Sequence, residues 1–143
     1  MLLVEKIVSQ LKKDEGFRGQ PYKCPAGATT IAYGRNLDAN PLTEEEGDYL
    51  LRRGVESAFR MLYRYPFFSD LPDDKREVLV CMMYQLGPVR FSGFAKMLAA
   101  FKAGNHHIAA VELKDSLYYR QHEEWGSDRV KHMVSVLSGG IIE

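Results

Sequence analysis

A stretch dense in glycine and proline, between Phe17 and Arg35, most constrains the fold of this chain. The residues that interrupt it are Gly19, Pro21, Pro25, Gly27 and Gly34. That density excludes a helix, whereas the threonine, isoleucine and tyrosine at 29–33 favour strands. The segment therefore predicts a small, tightly turned sheet, and it is the one region of the sequence that favours β structure.

The segment before the sheet predicts an amphipathic helix. Apolar residues recur at helical spacing over residues 2–14, and lysines lie off that stripe. The pattern ends at Glu15, and Gly16 is a suitable C-cap because glycine readily adopts the conformation that ends a helix. Glu15 is therefore predicted to lie where the helix meets the sheet.

Two long helices are predicted after the sheet. Thr43 and the glutamates at 44–46 have the form of a capping box, and the helix dipole explains this acidic run without a catalytic role. A second pattern starts at Pro72, is apolar nearly all round and predicts the central core helix. Cys81 is expected to be a small core residue of that helix, which Gly87 should break.

Shorter helical patterns cover about 93–103, 106–120 and 127–138. The elements together predict an α+β, mostly α fold with a small antiparallel sheet, a long connecting helix and a helical carboxy-terminal lobe. We expect one domain over 1–143. Its β-containing lobe should lie at about 15–60, and its helical lobe at about 66–143 should include the first helix.

Composition restricts the class of protein. A chain of 143 residues can bury roughly 68–70% of its unfolded surface without a metal or a disulfide. Nineteen basic and nineteen acidic side chains cancel, which argues against nucleic acid or an anionic membrane as a partner. Two separated cysteines predict free thiols in a reducing compartment, and the histidines lack metal-site spacing, so no cofactor is expected.

The sequence also bears on location. Its first residues lack the apolar core of a signal peptide, and no run reaches the ~18 apolar residues of a membrane span. We therefore expect synthesis in the cytoplasm without stable membrane association. If the substrate lies outside the membrane, a pore-forming partner such as a holin should release the protein.

Glu15 is the first candidate for chemistry. A carboxyl group between apolar walls keeps its proton to a higher pH than a free glutamate, as a general acid requires. Position alone, however, is more typical of a solvated surface glutamate at a helix end.

The surrounding motif favours catalysis. The motif consists of Asp14-Glu15-Gly16-Phe17-Arg18, Tyr22-Lys23-Cys24-Pro25, Gly27 and Thr30-Ile31-Ala32-Tyr33-Gly34. It resembles the active-site segment of phage-type lysozymes (glycoside hydrolase family 24), endolysins that cleave peptidoglycan between N-acetylmuramic acid and N-acetylglucosamine. In that family eight residues separate a Glu from an Asp or Cys, and five more precede a Thr. Glu15, Cys24 and Thr30 have that spacing, and weaker matches at 82–87, 91–94 and 118–119 extend the resemblance over about 10–138.

The resemblance implies a role for each residue. Glu15 would protonate the glycosidic oxygen, and Thr30 would hold a water or the sugar, although it is equally typical of an ordinary strand. Gly34 and Tyr84 would line the groove, although Tyr84 also suits a core position. Arg129 would orient Glu15, or else be a solvated surface residue.

Cys24 replaces the commoner aspartate and leaves three mechanisms open. Its thiolate is the nucleophile, or Cys24 only shapes the site while water enters, or the substrate supplies its own nucleophile. The last case includes a lytic transglycosylase that needs Glu15 alone. Two further alternatives are an inactive peptidoglycan-binding homologue and an unrelated helical interaction protein. A groove that admits a glycan strand suits a monomer.

Overall fold

The computed structural model describes residues 2–139, and its elements follow the predicted order. The elements in chain order are α1 (Leu3–Glu15), β1 (Arg18–Lys23), β2 (Thr29–Ala32), β3 (Arg35–Asn36), α2 (Glu44–Leu62), a short 3₁₀ helix (Phe68–Asp70), α3 (Asp73–Ser92), α4 (Ala95–Lys102), α5 (His106–Lys114), α6 (Leu117–Glu124) and α7 (Arg129–Ser138). The prediction of an α+β, mostly α fold with one small antiparallel sheet is confirmed.

Local signals set the first helix boundaries as predicted. Gly16 follows α1 with φ of 68°, and its amide donates to the carbonyl of Lys12. Before α2, the Thr43 amide donates to Glu46 Oε1 at 3.0 Å, and the Glu46 amide donates to Thr43 Oγ1 at 3.1 Å. These reciprocal bonds make the predicted capping box, so the acidic first turn of α2 has a structural explanation.

The sheet has the strand order β1-β2-β3, and both pairings are antiparallel. Thr30 lies at its centre, opposite Tyr22 on one side and Asn36 on the other. The β1–β2 register shifts between Arg18 and Tyr22, which is the irregularity expected of a bulge in a short, strongly twisted sheet.

The chain divides into two compact units, one up to Leu50 and one from Leu51 onward. Within residues 2–50, Thr30 is the one buried residue, at 3% exposure, and α1 contributes no buried side chain. The second unit holds the apolar core. Its fully enclosed large side chains include Leu62, Phe68, Leu79, Met82, Phe91 and Leu113. The assignment of residues to two lobes stays a prediction.

Helix α3 corrects two expectations. Gly87, with φ of 79°, interrupts the helix as predicted, but helical structure resumes at Pro88 because proline suits a first turn. Cys81 is exposed, not a core residue. The buried face of α3 is formed by its neighbours Val78, Leu79 and Met82, so Cys81 faces away from the core.

The carboxy-terminal helices depart from prediction at one place. The pattern over 106–120 forms two helices, α5 and α6, because Ser116 caps the second by accepting the Tyr119 amide at 3.1 Å. His122 is buried at 7% exposure, with rings on two sides. None of the helices within residues 2–139 has the length and apolar character needed to cross a bilayer.

Candidate active site

Glu15 and Gly34 lie against each other in the first unit. A Cβ atom at Gly34 would fall 2.6 Å from Glu15 Oε2 and 2.9 Å from its carboxyl carbon. Gly34 also has φ of 73°, a conformation that L side chains rarely adopt. The glycine therefore allows the carboxylate of the last residue of α1 to approach the backbone between β2 and β3. Glu15 itself is exposed to solvent.

Cys24 lies in the turn between β1 and β2, where backbone groups surround its sulfur. Its amide donates to the Ala28 carbonyl at 3.0 Å, and the Gly27 amide donates to the Cys24 carbonyl at 2.8 Å. Hydrogen bonds from the amides of Ala28 and Ala26 lower the pKa of the Cys24 thiol, and the Thr30 hydroxyl and Gly27 amide add to that effect. The turn therefore stabilises the thiolate form of Cys24 relative to that of a free cysteine.

Thr30 supports the turn that holds Cys24. It is 3% exposed, and its hydroxyl donates to the Ala28 carbonyl at 3.0 Å. That carbonyl also accepts the Cys24 amide, so Thr30 braces the turn that holds the sulfur. Lys23, the neighbour of Cys24 along the chain, points away as strand alternation predicts, and its amine donates to Thr29 Oγ1 at 2.7 Å.

Arg35 ties the sheet to the start of α2. Its guanidinium donates to both carboxylate oxygens of Glu46 and to the carbonyls of Asn40 and Pro41, at 2.9 and 2.7 Å for the two carbonyls. The Arg35 bonds, helped by the Thr43 cap, lower the pKa of Glu46 from 4.5 to about 2. Arg35 directly follows Gly34, so this cluster fixes the backbone beside Glu15.

The second unit brings together Tyr84 and Arg129. Both line a pocket of about 530 Å³, together with apolar residues of α2, α3 and α7. Tyr84 is 51% exposed, which removes its alternative role as a core residue, and its ring fills the space where Gly54 would carry a Cβ. Cys81 lines the same pocket. Partial burial is the main cause that raises the pKa of its thiol, and the negative charge of Glu77 raises it further.

The predicted site residues thus fall into two groups. Glu15, Cys24, Thr30 and Gly34 belong to the first unit, whereas Tyr84 and Arg129 belong to the second. The orienting role of Arg129 stays a prediction. Within residues 2–139, no three His, Cys, Asp or Glu side chains form a group that could hold a metal ion.

The sequence analysis did not identify the backbone amides of the turn at 26–28, which have the largest effect on the pKa of the Cys24 thiol. The signal was present in the small residues Pro25-Ala26-Gly27-Ala28, because a turn of that composition brings its amides close to the side chain that precedes it.

Comparison with known proteins agrees with this geometry. A family model described as phage lysozyme matches residues 12–126. The chain belongs to the phage lysozyme family. The match contains Glu15, Cys24, Thr30, Gly34 and Tyr84, and Arg129 lies beyond it.

A relative of this phage lysozyme family member is a protein named Endolysin from Acyrthosiphon pisum secondary endosymbiont phage 1. It is 24% identical over 115 residues, which are 78% of this chain and 77% of that protein. Family membership makes the chain a lysozyme-type enzyme of bacterial cell-wall lysis.

Proposed function

We propose that this protein is an endolysin that hydrolyses the β-1,4 bond between N-acetylmuramic acid and N-acetylglucosamine in peptidoglycan. The observation that carries the proposal is the Glu15 carboxylate seated against the backbone of Gly34, inside the segment that matches the phage lysozymes. The name of the related endolysin supports the same substrate. We further propose that the enzyme acts as a monomer, and its release through a holin stays a prediction.

Glu15 is the general acid of this mechanism. Its protonated carboxyl donates a proton to the glycosidic oxygen while the bond to the anomeric carbon breaks through an oxocarbenium-like state. The absence of a side chain at Gly34 leaves room for the Glu15 carboxylate itself, which occupies the space that a Cβ would take. Glu15 returns to its acidic form by taking a proton from solvent after the product leaves.

Cys24 serves as the general base that works together with Glu15. The amides of Ala28 and Ala26 favour its thiolate, which accepts a proton from the attacking water while the water oxygen bonds to the anomeric carbon. The thiol then loses that proton to solvent, which completes the balance of protons. Thr30 is a positioning residue, since its buried hydroxyl supports the turn rather than reaching the sugar.

The role of Glu15 is tested by the clearing of permeabilised Gram-negative cells. Removal of a general acid typically costs 10²–10⁴-fold in rate, so Glu15→Gln should clear cells about a thousandfold more slowly than wild type. Glu5→Gln is the matched control, because Glu5 lies exposed on the same helix in its first turn. Equal clearing by wild type and Glu15→Gln, or by neither, would refute the proposal.

Mass spectrometry of the digested wall identifies the reaction. Hydrolysis leaves reducing ends, whereas attack by the hydroxyl of the muramic acid itself leaves anhydro sugars. We expect reducing ends alone, and anhydro products would instead identify a lytic transglycosylase that uses Glu15 without Cys24.

The role of Cys24 is tested by alkylation in a Cys81→Ser background, which leaves one thiol. Iodoacetamide should abolish clearing, Cys24→Asp should stay active because the turn accepts an anion, and Cys24→Ser should lose most activity. Full activity after confirmed alkylation, or a substantially active Cys24→Ser variant, would show that Cys24 only shapes the site.

A further inference from the structure

Two aromatic residues lie on the chain segments next to Glu15 and Gly34, and the mechanism above does not use them. Phe17 follows Glu15 by two residues at the start of the sheet. Tyr33 directly precedes Gly34, the residue whose backbone lies against the Glu15 carboxylate. The rings therefore stand on the two chain segments that form the site of the general acid.

The two rings contact each other while remaining open to solvent. Their centroids lie 5.4 Å apart with an interplanar angle of 51°. Phe17 is nevertheless 66% exposed and Tyr33 is 41% exposed. Two exposed rings that touch each other leave apolar surface in contact with water, which a bound ligand can cover.

Two features restrict the Tyr33 ring before any ligand binds. The Lys12 amine lies 5.7 Å from the Tyr33 centroid. Tyr33 is held between Ala32 and Gly34, whose φ angles of 58° and 73° are both positive. A surface ordered in advance loses little conformational entropy when it binds a ligand.

An N-acetylhexosamine ring has the complementary chemistry. Its C–H groups form an apolar face, and its hydroxyl and acetamido groups lie around the edge and stay in water. Aromatic rings can cover such a face without burying the polar groups. A phosphate or a peptide carboxylate would gain little from two neutral rings, which favours the sugar as the occupant.

We propose that Phe17 and Tyr33 form an aromatic platform that binds one N-acetylhexosamine ring of the glycan strand next to the bond that Glu15 cleaves. This inference rests on the proposed function for its substrate. It assigns binding to these rings, while the chemical step remains with Glu15 and Cys24.

The test is the affinity for an N-acetylglucosamine hexamer, measured by calorimetry in the Glu15→Gln protein so that no cleavage occurs. Replacing both rings by leucine (Phe17→Leu with Tyr33→Leu) should raise Kd about tenfold, the usual value of an aromatic contact. Tyr33→Phe keeps the ring and should bind as the parent does. Trp125→Leu is the matched control because Trp125 is 68% exposed, and its Kd should not change.

The active enzyme gives a second measurement. With Glu15 intact, the double leucine variant should raise KM with little change in kcat, as expected of a group that binds substrate without acting in the chemical step. Thermal melting of each variant identifies any loss of folding, and the two single leucine variants then replace the double one.

The outcomes separate this inference from the proposed function. An unchanged Kd in the leucine variants, or no hexamer binding by the Glu15→Gln protein, overturns the platform even if wild type lyses cells. Failure of wild type to lyse cells overturns the proposed function, and the effect of the rings on hexamer binding then still decides whether the platform exists.

Discussion

The two compact units of this phage lysozyme are stabilised by different physical means. In the second unit, buried apolar side chains from α2 through α7 form a continuous core. Within residues 2–50, Thr30 is the one buried residue, and the sheet depends on turns, ring contacts and the Arg35–Glu46 cluster. The candidate catalytic residues lie in the unit without an apolar core. Directional hydrogen bonds hold reactive groups at defined angles, which hydrophobic burial alone does not do.

The largest expected difference between the units is the free energy of unfolding lost on truncating a leucine. Leu79 is 0% exposed, so Leu79→Ala should cost about 3 kcal/mol by removing buried methyl groups and leaving a cavity. Leu42, in the first unit, is 50% exposed, and Leu42→Ala should cost about 0.5 kcal/mol or less. Urea denaturation measures both, and equal losses would contradict the contrast drawn here.

A smaller effect on stability is expected at the glycine beside Glu15. Gly34→Ala should cost about 1 kcal/mol because of its positive φ. Its new Cβ would also displace the Glu15 carboxylate, and misplacement of a catalytic group by about 1 Å can reduce the rate about a hundredfold.

The control for this substitution is Gly47→Ala. A Cβ at Gly47 would meet nothing within 4 Å, and the residue lies inside α2, so alanine should add about 0.5–1 kcal/mol to stability and leave cell clearing unchanged. Full activity of Gly34→Ala would show that catalysis does not require the close contact between the Glu15 carboxylate and the backbone of Gly34.

The smallest expected effect depends on pH and concerns Glu46. Folding lowers its pKa from 4.5 to about 2, so the folded state favours the carboxylate. The stabilisation should be fully present above pH 4.5 and should disappear as the pH falls towards 2. Thermal melting of wild type and Glu46→Gln should therefore differ at pH 7 and converge in acid.

The matched control is Glu45→Gln, one residue earlier in the same turn of α2. This substitution removes a carboxylate from the same turn but leaves the bond between Arg35 and Glu46 in place. A melting difference for Glu46→Gln that stays constant from pH 7 to 2 would exclude the ion pair as its cause.

The same contrast explains what could be predicted from sequence. The end of α1 at Gly16, the cap at Thr43 and the start of α3 after Pro72 all depend on residues within one turn of each other. Such local signals are readable because the interaction and its sequence pattern coincide. The spacing from Glu15 to Thr30 was equally local, and it predicted the segment that the family match contains.

What could not be predicted depended on distant parts of the chain. Cys81 was expected in the core because its neighbours are apolar, but which face of α3 is buried is decided by packing against other helices. The bond between Arg35 and Glu46 joins residues eleven apart through a turn whose course the sequence does not specify. The contact between Phe17 and Tyr33 likewise required the register of the folded sheet.

The turn at 26–28 has a consequence for how position 24 can vary. Its amides belong to the main chain, so a substitution at 26, 27 or 28 keeps them unless it introduces proline or changes the shape of the turn. The backbone of the turn therefore stabilises a negative charge at position 24, and the side chain there only provides the atom that carries the charge. A lineage could exchange sulfur for a carboxylate there and keep the same electrostatic environment.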